Sequence, residues 1–202
     1  DMLRVDFKGE DIELVGESEL LIKGEHNVSN ALAAAAAALA CGVDAAQVRE
    51  GLVSFKPLEH RLEPCGEIGG VKFVNDSKAT NVDATLKALS AFAPHTAIFL
   101  LGGNDKGTDL DELVEACDAK CKAVVCFGAA GERFFDAFAN AGVKHVRAEH
   151  MEDALDTAIS MAQSGDEVVL SPACSSFDEF DSFEHRGKVF KQLVAFRASN
   201  AR

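Results

Sequence analysis

From about residue 58 onward, short apolar runs alternate with segments that carry a helical pattern of apolar residues. Strands that alternate with helices form a mainly parallel sheet, because parallel neighbours must be joined by a crossover and that crossover is usually a helix. The sequence therefore predicts an α/β domain with helices on both faces of its sheet. The predicted strands are residues 71–74, 97–101, 123–127, 145–146 and 167–170, and the predicted helices are residues 82–92, 109–119, 132–140, 152–163 and 183–198.

Residues 1–57 do not follow this alternation. Their patterns predict a β-hairpin, a third short strand, an alanine-rich helix and a second helix that Pro57 ends. These elements make an incomplete domain, so we expect residues 1–57 to be the end of one domain and residues 58–202 to be the next. The segments are residues 3–7, 12–15 and 20–22 for the strands and residues 31–41 and 44–55 for the helices.

The charge balance excludes some classes of partner. The net charge is −13, from 20 basic and 33 acidic residues. Affinity for nucleic acids and for anionic membrane surfaces depends on basic residues, so we expect neither partner. No apolar run is long enough to span a bilayer. The six cysteines have scattered spacings, which favours reduced thiols and a cytoplasmic protein.

Polar clusters follow three of the predicted strands. Residues 75–81, 102–107 and 171–180 each come directly after an apolar run. Ligands of parallel sheets bind at the carboxyl ends of the strands, and these ends lie at one edge. Two of the loops carry a lysine, Lys78 and Lys106, while the third carries several serines. Lysines, hydroxyls and free backbone N–H groups suit a carboxylate or a phosphate.

Each of these motifs also has a plain structural explanation. Asn75 and Asp76 can form a turn, and Thr80 or Asn81 can cap the following helix. The Gly-Gly pair at residues 102–103 can be a tight turn. The coincidence of several polar clusters at the predicted strand ends favours a binding site over these explanations.

Other nucleotide-binding and metal-binding motifs are absent from the sequence. It contains no Gly-x-x-x-x-Gly-Lys-Ser/Thr phosphate loop and no Gly-x-Gly-x-x-Gly after a strand. No group of His, Cys, Asp and Glu has metal-ligand spacing, so we predict no metal site in this chain.

Five motifs, in this order, resemble those of the Mur ligases, the ATP-dependent amide ligases of peptidoglycan precursor synthesis. The segments at residues 75–81 and 171–176 are most similar to the members that add D-glutamate to UDP-N-acetylmuramoyl-L-alanine through an acyl phosphate. The motifs are Lys-Gly-Glu-His-Asn-Val-Ser-Asn at 23–30, His-Arg-Leu-Glu at 60–63, Asn-Asp-Ser-Lys-Ala-Thr-Asn at 75–81, Gly-Gly-x-x-Lys at 102–106 and Ser-Pro-Ala-Cys-Ser-Ser-Phe-Asp at 171–178.

The resemblance implies a domain assignment. Residues 1–57 would be the last part of a central ATP-binding domain, and residues 58–202 a Rossmann-like C-terminal domain. The phosphate loop and the Mg²⁺ ligands of such enzymes would lie in a part that this sequence lacks. We therefore expect a fragment that is inactive alone, from a full-length enzyme that is a cytoplasmic monomer.

The resemblance also implies roles for individual residues. The ATP or ADP positions are Asn27, Asn30, His60, Arg61, Asp76 and Lys78. The D-glutamate positions are Thr80, Lys106, Ser176, Phe177 and Phe183, and the catalytic residues are Lys78 and Lys106. Three alternatives stay open: another Mur ligase, a ligase like folylpolyglutamate synthase, or a non-catalytic Rossmann-like binding domain.

Overall fold

The computed structural model describes residues 2–22, 24–56 and 58–200. The chain divides into two compact units, Asp1–Pro57 and Leu58–Arg202. Helices and strands are numbered separately in chain order. None of the helices in the described part has both the length and the hydrophobicity that crossing a bilayer requires.

The first unit begins with an antiparallel hairpin of β1 (Met2–Phe7) and β2 (Glu10–Gly16). The turn residues Lys8 and Gly9 both have positive φ, 53° and 83°. This turn geometry matches the right-handed twist of paired strands. The predicted hairpin is confirmed.

Two helices complete the first unit: α1 (Glu25–Ala40) and α2 (Ala45–Ser54). Asp44 caps α2, because its carboxylate accepts a hydrogen bond of 2.8 Å from the N–H of Ala46. The hairpin and helices enclose a small apolar core of Leu3, Leu14, Val15, Leu20, Ala31, Ala35, Leu39 and Val48.

The third predicted strand, at residues 20–22, is wrong. A short 3-10 turn at Glu17–Glu19 is followed by bends, and residues 20–22 belong to no strand. Leu20 is buried in the core of this unit, whereas Leu21 is exposed. Ile22 is partly buried against the same core, so this short apolar run packs through two side chains without belonging to a strand.

The second unit contains a six-stranded sheet in the order β3–β4–β8–β5–β6–β7. All neighbours pair in parallel except β3, which is antiparallel to β4. The strands are β3 (Glu63–Ile68), β4 (Val71–Asn75), β5 (Ala97–Gly102), β6 (Ala123–Phe127), β7 (Lys144–Arg147) and β8 (Glu167–Ala173). The five predicted strands and the predicted α/β class are confirmed.

Helices cover both faces of this sheet. Alternate residues of β5 point to opposite faces, so Phe99 and Leu101 join one apolar core while Ile98 and Leu100 join the other. Residues of α3, α4 and α5 pack in the first core and residues of α6 and α7 in the second. The helices are α3 (Val82–Leu89), α4 (Asp111–Lys120), α5 (Gly131–Ala137), α6 (Met151–Met161) and α7 (Phe183–Asn200).

The edge strand β3 has no counterpart among the predicted strands. It contains Pro64 and Gly66, which disfavour a strand, and its register with β4 shifts between these two residues. An edge strand tolerates a proline and a bulge because one side has no partner. The turn to β4 uses Gly69 and Gly70, both with positive φ.

Candidate functional site

The three polar loops lie side by side at the carboxyl edge of the sheet. The loop at residues 76–81 follows β4, the loop at residues 174–182 follows β8, and the loop at residues 103–110 follows β5. Because β8 lies between β4 and β5, its loop is flanked by the other two. The structure thus brings together the loops that the sequence predicts at one edge.

Hydrogen bonds connect the neighbouring loops directly. The N–H of Asp76 donates to the carbonyl of Leu170 over 2.8 Å, which extends the pairing of β4 with β8. On the other side, the N–H of Asn104 donates to the carbonyl of Ser175 over 2.8 Å. The Ser175 hydroxyl returns a bond of 2.9 Å to the carbonyl of Asn104.

The Gly-Gly pair after β5 is required by close backbone approach. Gly102 and Gly103 have φ values of 143° and 127°, where L-residues are strained. A Cβ on Gly102 would overlap the backbone of Phe127, and one on Gly103 would overlap the carbonyl of Ser175. Gly102 therefore allows close approach to the backbone at the end of β6, and Gly103 allows the loops after β5 and β8 to touch.

Asn75 fixes the start of the loop after β4. Its side-chain amide nitrogen donates to Glu63 Oε2 and to His60 Nδ1, over 2.9 Å in each case. Its amide oxygen accepts from the N–H of Ser77 over 3.1 Å. The side chain is fully buried, so the residue directly before the predicted ligand-binding residue Asp76 is tightly held.

His60 lies under this loop with one ring nitrogen unpaired. The imidazole is buried, and Nδ1 accepts from Asn75, which places the proton on Nε2. Within the described residues, Nε2 has no hydrogen-bond partner, and Glu59 Oε1 is 3.7 Å away. His60 itself has φ of 66°, a conformation that few non-glycine residues adopt.

Asp76 is a buried carboxyl group that strand β8 contacts. Its Oδ2 accepts from the Ser171 hydroxyl over 2.7 Å, and its Oδ1 accepts from the N–H of Leu62 over 3.2 Å. Burial raises the pKa of Asp76 to about 6, although these two bonds and the nearby charge of Arg61 oppose the rise. Arg61 itself is exposed.

Lys78 and Thr80 occupy the middle of the same loop and are both half-buried. The Lys78 ammonium lies over the ring of Phe183, 3.9 Å from its centre. Asn81 caps α3, because its side chain accepts from the N–H of Ala84 over 2.9 Å. Of the two capping residues that the sequence allowed, Asn81 is therefore the cap, and Thr80 lies before it.

The loop after β8 buries its serines and exposes a phenylalanine. Ser176 is buried, and its carbonyl accepts from the N–H of Phe180 over 2.8 Å, which closes a tight turn. Phe177 lies within this turn and is 69% exposed. A phenyl ring in this position is free to cover a ligand bound beside the loop.

Lys106 is exposed on the loop after β5. Its neighbour Asp105 forms an ion pair of 2.5 Å with Arg133, which also donates to the carbonyl of Thr108 over 2.6 Å. Arg133 belongs to α5, so the loop is attached to that helix while the lysine points into solvent.

The two remaining predicted residues, Asn27 and Asn30, belong to the first unit. Both lie on α1, three positions apart and therefore on one face of the helix. Asn27 is half-buried and Asn30 is exposed.

Arg186 is a residue of this edge that the sequence analysis missed. It lies in the first turns of α7, is fully buried, and bonds to backbone oxygens of the loops after β4 and β8. The only signal in the sequence is an arginine on the apolar side of a predicted helix, next to Gly187.

Two carboxylates of the β8 loop accept hydrogen bonds from backbone N–H groups at or just before the N-terminal ends of neighbouring helices. Asp178 accepts from the N–H of Ala129 over 3.1 Å, and Glu179 accepts from the N–H of Met151 over 3.3 Å. Burial raises the pKa of Glu179. The Gly-x-x-Gly segment at residues 128–131 therefore binds a carboxylate of the chain itself.

One cluster among the described residues has the composition of a metal site: Glu59, His60 and Glu63. The ammonium of Lys191 bonds to both carboxylates, over 2.7 Å to Glu59 and 2.9 Å to Glu63. Hydrogen bonding to Lys191 also lowers the pKa of Glu59. The lysine supplies the positive charge there, and we assign no metal to this cluster.

Residues 60–174 match the family described as Mur ligase, glutamate ligase domain. The chain belongs to the Mur ligase family. It is 45% identical to the UDP-N-acetylmuramoylalanine–D-glutamate ligase of Koribacter versatilis. That similarity covers 94% of this chain and 41% of the relative, so the chain spans about two fifths of the relative's length.

Solved structures of Mur ligases and related enzymes share this fold. The UDP-N-acetylmuramate–alanine ligase MurC of Thermotoga maritima superposes with a TM-score of 0.71 at 19% identity, over 95% of this chain and 41% of that one. The Mycobacterium tuberculosis folylpolyglutamate synthase, solved with ADP, gives a TM-score of 0.66 at 18% identity, over 95% of this chain and 46% of that one. The predicted Rossmann-like fold is thereby confirmed.

Proposed function

We propose that this chain is the C-terminal part of a Mur ligase that joins D-glutamate to UDP-N-acetylmuramoyl-L-alanine with ATP. The observation that carries the proposal is the convergence of the loops after β4, β8 and β5 at one edge of the sheet. Two of these loops carry lysines, and the third carries buried serines beside an exposed phenylalanine. The name of the Koribacter relative supports the choice of D-glutamate.

The reaction has two steps. A terminal carboxylate oxygen of the UDP-linked substrate attacks the γ-phosphorus of ATP, and an acyl phosphate forms as ADP leaves. The neutral amine of D-glutamate then attacks the acyl carbon, and an amide bond forms as inorganic phosphate leaves and the nitrogen releases a proton. Negative charge lies on the transferring phosphoryl group in the first step and on the acyl oxygen and the leaving phosphate in the second, so cationic side chains stabilise both transition states.

The catalytic assignment is Lys78 and Lys106. Lys78 is assigned to the transferring phosphoryl group and the carboxylate, and hydrogen bonds of Asn75 and of the buried Asp76 hold its loop. Lys106 is exposed and free to pair with a carboxylate of D-glutamate. Fixed geometry of this kind contributes on the order of 7–11 kcal/mol in well-oriented reactions.

The D-glutamate subsite is assigned to Thr80, Lys106, Ser176, Phe177 and Phe183. A dianionic amino acid loses hydration on binding and needs charged or N–H and O–H donors in exchange. The hydroxyls and backbone N–H groups of these loops supply them. The ring of Phe177 is exposed and would be covered when the ligand binds.

The nucleotide side is assigned to Asn27, Asn30, His60, Arg61, Asp76 and Lys78. The residues present suit a nucleotide, because His60 Nε2 is a buried polar atom without a partner among the described residues. Arg61 is an exposed cation that suits a phosphate. The ADP named with the folylpolyglutamate synthase supports this assignment.

The remaining assignments follow from the same proposal. Residues 1–57 would be the end of a central ATP-binding domain and residues 58–202 the C-terminal domain. We assign the Mg²⁺ ligands to protein outside this chain, and the enzyme to the cytoplasm as a monomer without nucleic-acid or membrane partners. ATP supplies the phosphoryl group that activates the carboxylate.

The test is a chimera in which these 202 residues replace the matching segment of the Koribacter versatilis ligase. We expect ATP-dependent ligation of D-glutamate to UDP-N-acetylmuramoyl-L-alanine, measured by phosphate release and by mass of the product. L-Glutamate, L-alanine and a folate substrate serve as competitors. A soluble chimera that prefers one of these competitors, or that ligates nothing, would refute the proposal.

A further inference from the structure

Arg186 is a buried cation held by neutral oxygens. The side chain is 0% exposed. Four hydrogen bonds leave its guanidinium: Nε to Ser77 Oγ at 2.9 Å, Nη2 to the carbonyls of Ser77 at 2.9 Å and Cys174 at 3.0 Å, and Nη1 to the carbonyl of Ser175 at 3.2 Å.

These bonds join two loops that are about a hundred residues apart in the sequence. Ser77 belongs to the loop after β4, and Cys174 and Ser175 belong to the loop after β8. The Ser77 hydroxyl in turn donates to the carbonyl of Phe183 over 2.9 Å. One side chain of α7 therefore fixes both loops and the start of its own helix.

The third loop of the edge touches the same group. A Cβ on Gly103 would come within 3.0 Å of Arg186 Nη1 and would overlap the carbonyl of Ser175. Asn104, the next residue, donates to that same Ser175 carbonyl. The guanidinium thus lies where the loops after β4, β5 and β8 meet.

A cation in this position is costly for folding alone. Burial lowers the pKa of Arg186 to about 10, so the side chain still carries its charge at neutral pH. Four bonds to neutral oxygens replace its hydration, but an apolar side chain would need no such replacement. The residue type is explained better by the geometry that it imposes on the loops.

That geometry concerns the direction of the peptide groups. The carbonyls of Cys174 and Ser175 point inward to the guanidinium. In a trans peptide the N–H of the next residue points the opposite way, so the N–H groups of Ser175 and Ser176 face away from Arg186. Lys78 follows Ser77, whose carbonyl is held in the same manner.

We propose that Arg186 is a positioning residue that orders the loops after β4 and β8 for the incoming amino acid. Its planar fork binds three carbonyls at once, which an ammonium on a flexible stem does not reproduce. The effect of Arg186 on D-glutamate binding rests on the proposed function, whereas its effect on the order of the loops does not.

The first experiment measures amide hydrogen exchange in this chain. The reporters are the hydrogen-bonded amides of Lys78, Asn104 and Phe180. We expect Arg186→Lys to speed their exchange at least about tenfold, as loss of the fork frees both loops. Ser77→Ala is a milder variant that removes one acceptor and the bond to Phe183, and it should act in the same direction.

Arg197→Lys is the matched control on the same helix. Arg197 binds Asp156 through Nε and Nη2 and also contacts Glu152, so its partners lie on α6 and not in the loops. We expect Arg197→Lys to leave the exchange rates of the three reporter amides within about twofold of the wild-type rates. Unchanged exchange in both Arg186→Lys and Ser77→Ala would overturn the inference, and Ser77→Ala alone decides the matter if Arg186→Lys does not fold.

The second experiment uses the chimera with the Koribacter ligase. Arg186→Lys should raise the KM for D-glutamate at least about tenfold and leave the KM for the UDP-linked substrate within about threefold. Faster loop exchange with an unchanged KM for D-glutamate would overturn the positioning role. A wild-type chimera without activity would refute the proposed function, and the exchange data would then decide alone whether Arg186 orders the loops.

Discussion

The ammonium nitrogen of Lys78 lies 3.9 Å from the centre of the Phe183 ring, so the first residue of α7 holds the lysine of the β4 loop. Phe183 also makes an edge contact with the His60 ring, 5.9 Å between ring centres. A single phenyl group therefore contacts one residue from each of two motifs that are assigned to the nucleotide.

The contact between Lys78 and Phe183 can be measured by a double-mutant cycle of Lys78→Met and Phe183→Leu. We expect a coupling energy of about 0.5–2 kcal/mol in the free energy of unfolding, because the lysine is half-buried over the ring. The measurement is urea denaturation followed by circular dichroism, since the chain has neither Trp nor Tyr. The control is a second cycle in which Lys188→Met, at an exposed lysine, replaces Lys78→Met. A coupling energy with Phe183→Leu that is equal in the two cycles would contradict the prediction.

Substitution of Lys106 tests the charge at the β5 loop. Lys106→Ala in the chimera should lower kcat/KM for D-glutamate by at least about tenfold, because a charge-assisted hydrogen bond to a carboxylate is lost. Lys120→Ala is the matched control, since Lys120 is also exposed but ends α4 on the opposite side of the domain from the loops. Equal kinetics for the two variants would remove Lys106 from the subsite.

Asp76 should make the stability of the second unit depend on pH. Its pKa is raised from 3.8 to about 6, so the folded state binds the proton more tightly than the unfolded chain does. The free energy of unfolding should therefore fall as pH rises from about 4 to about 6, by about 2–3 kcal/mol relative to Asp76→Asn.

Urea titrations of both proteins at several pH values between 4 and 7 test this expectation. Asp83→Asn, at an exposed position in the first turn of α3, is the matched control for replacing a carboxyl group by an amide. A stability difference between Asp76→Asn and the wild type that does not change with pH would show that the Asp76 carboxyl group is not responsible.

Gly187 is predicted to be intolerant of any side chain. A Cβ there would overlap His60 Nδ1 and come within 3.0 Å of Asn75 Nδ2, and both groups are buried. Gly187→Ala should lower the free energy of unfolding by about 1–3 kcal/mol, as overpacking does. Gly51→Ala, in α2 with no atom within 4 Å of the added Cβ, should instead be neutral or mildly stabilising. If Gly187→Ala leaves the free energy of unfolding unchanged, the His60 ring can move aside without cost and the prediction is wrong.

The sheet could be predicted from the sequence because its strands are short apolar runs between helical patterns. The edge strand β3 could not be predicted, because Pro64 and Gly66 disfavour a strand and because its pairing depends on β4 rather than on its own residues. The supposed strand at residues 20–22 shows the opposite error, an apolar run that packs in the core through Leu20 and Ile22 without belonging to a strand.

The candidate site could be predicted only in part. The loops can be recognised in the sequence because polar residues follow apolar runs. Lys78, Lys106 and Ser176 could therefore be predicted as candidate site residues. Arg186 gives no such signal, because its importance comes from three carbonyls that are brought together by the fold. Backbone acceptors have no side-chain signature, so a residue that binds them is invisible in one sequence.

The position of β8 has a consequence for how the protein is made. This strand enters between β4 and β5, where Glu167 faces Lys72 on one side and Ala97 on the other. Until the ribosome has released these late residues, β4 and β5 lack their common neighbour and each has an unpaired edge. Such edges are templates for aggregation in a nascent chain. The three polar loops at the carboxyl edge therefore cannot come together until β8 has entered the sheet between β4 and β5.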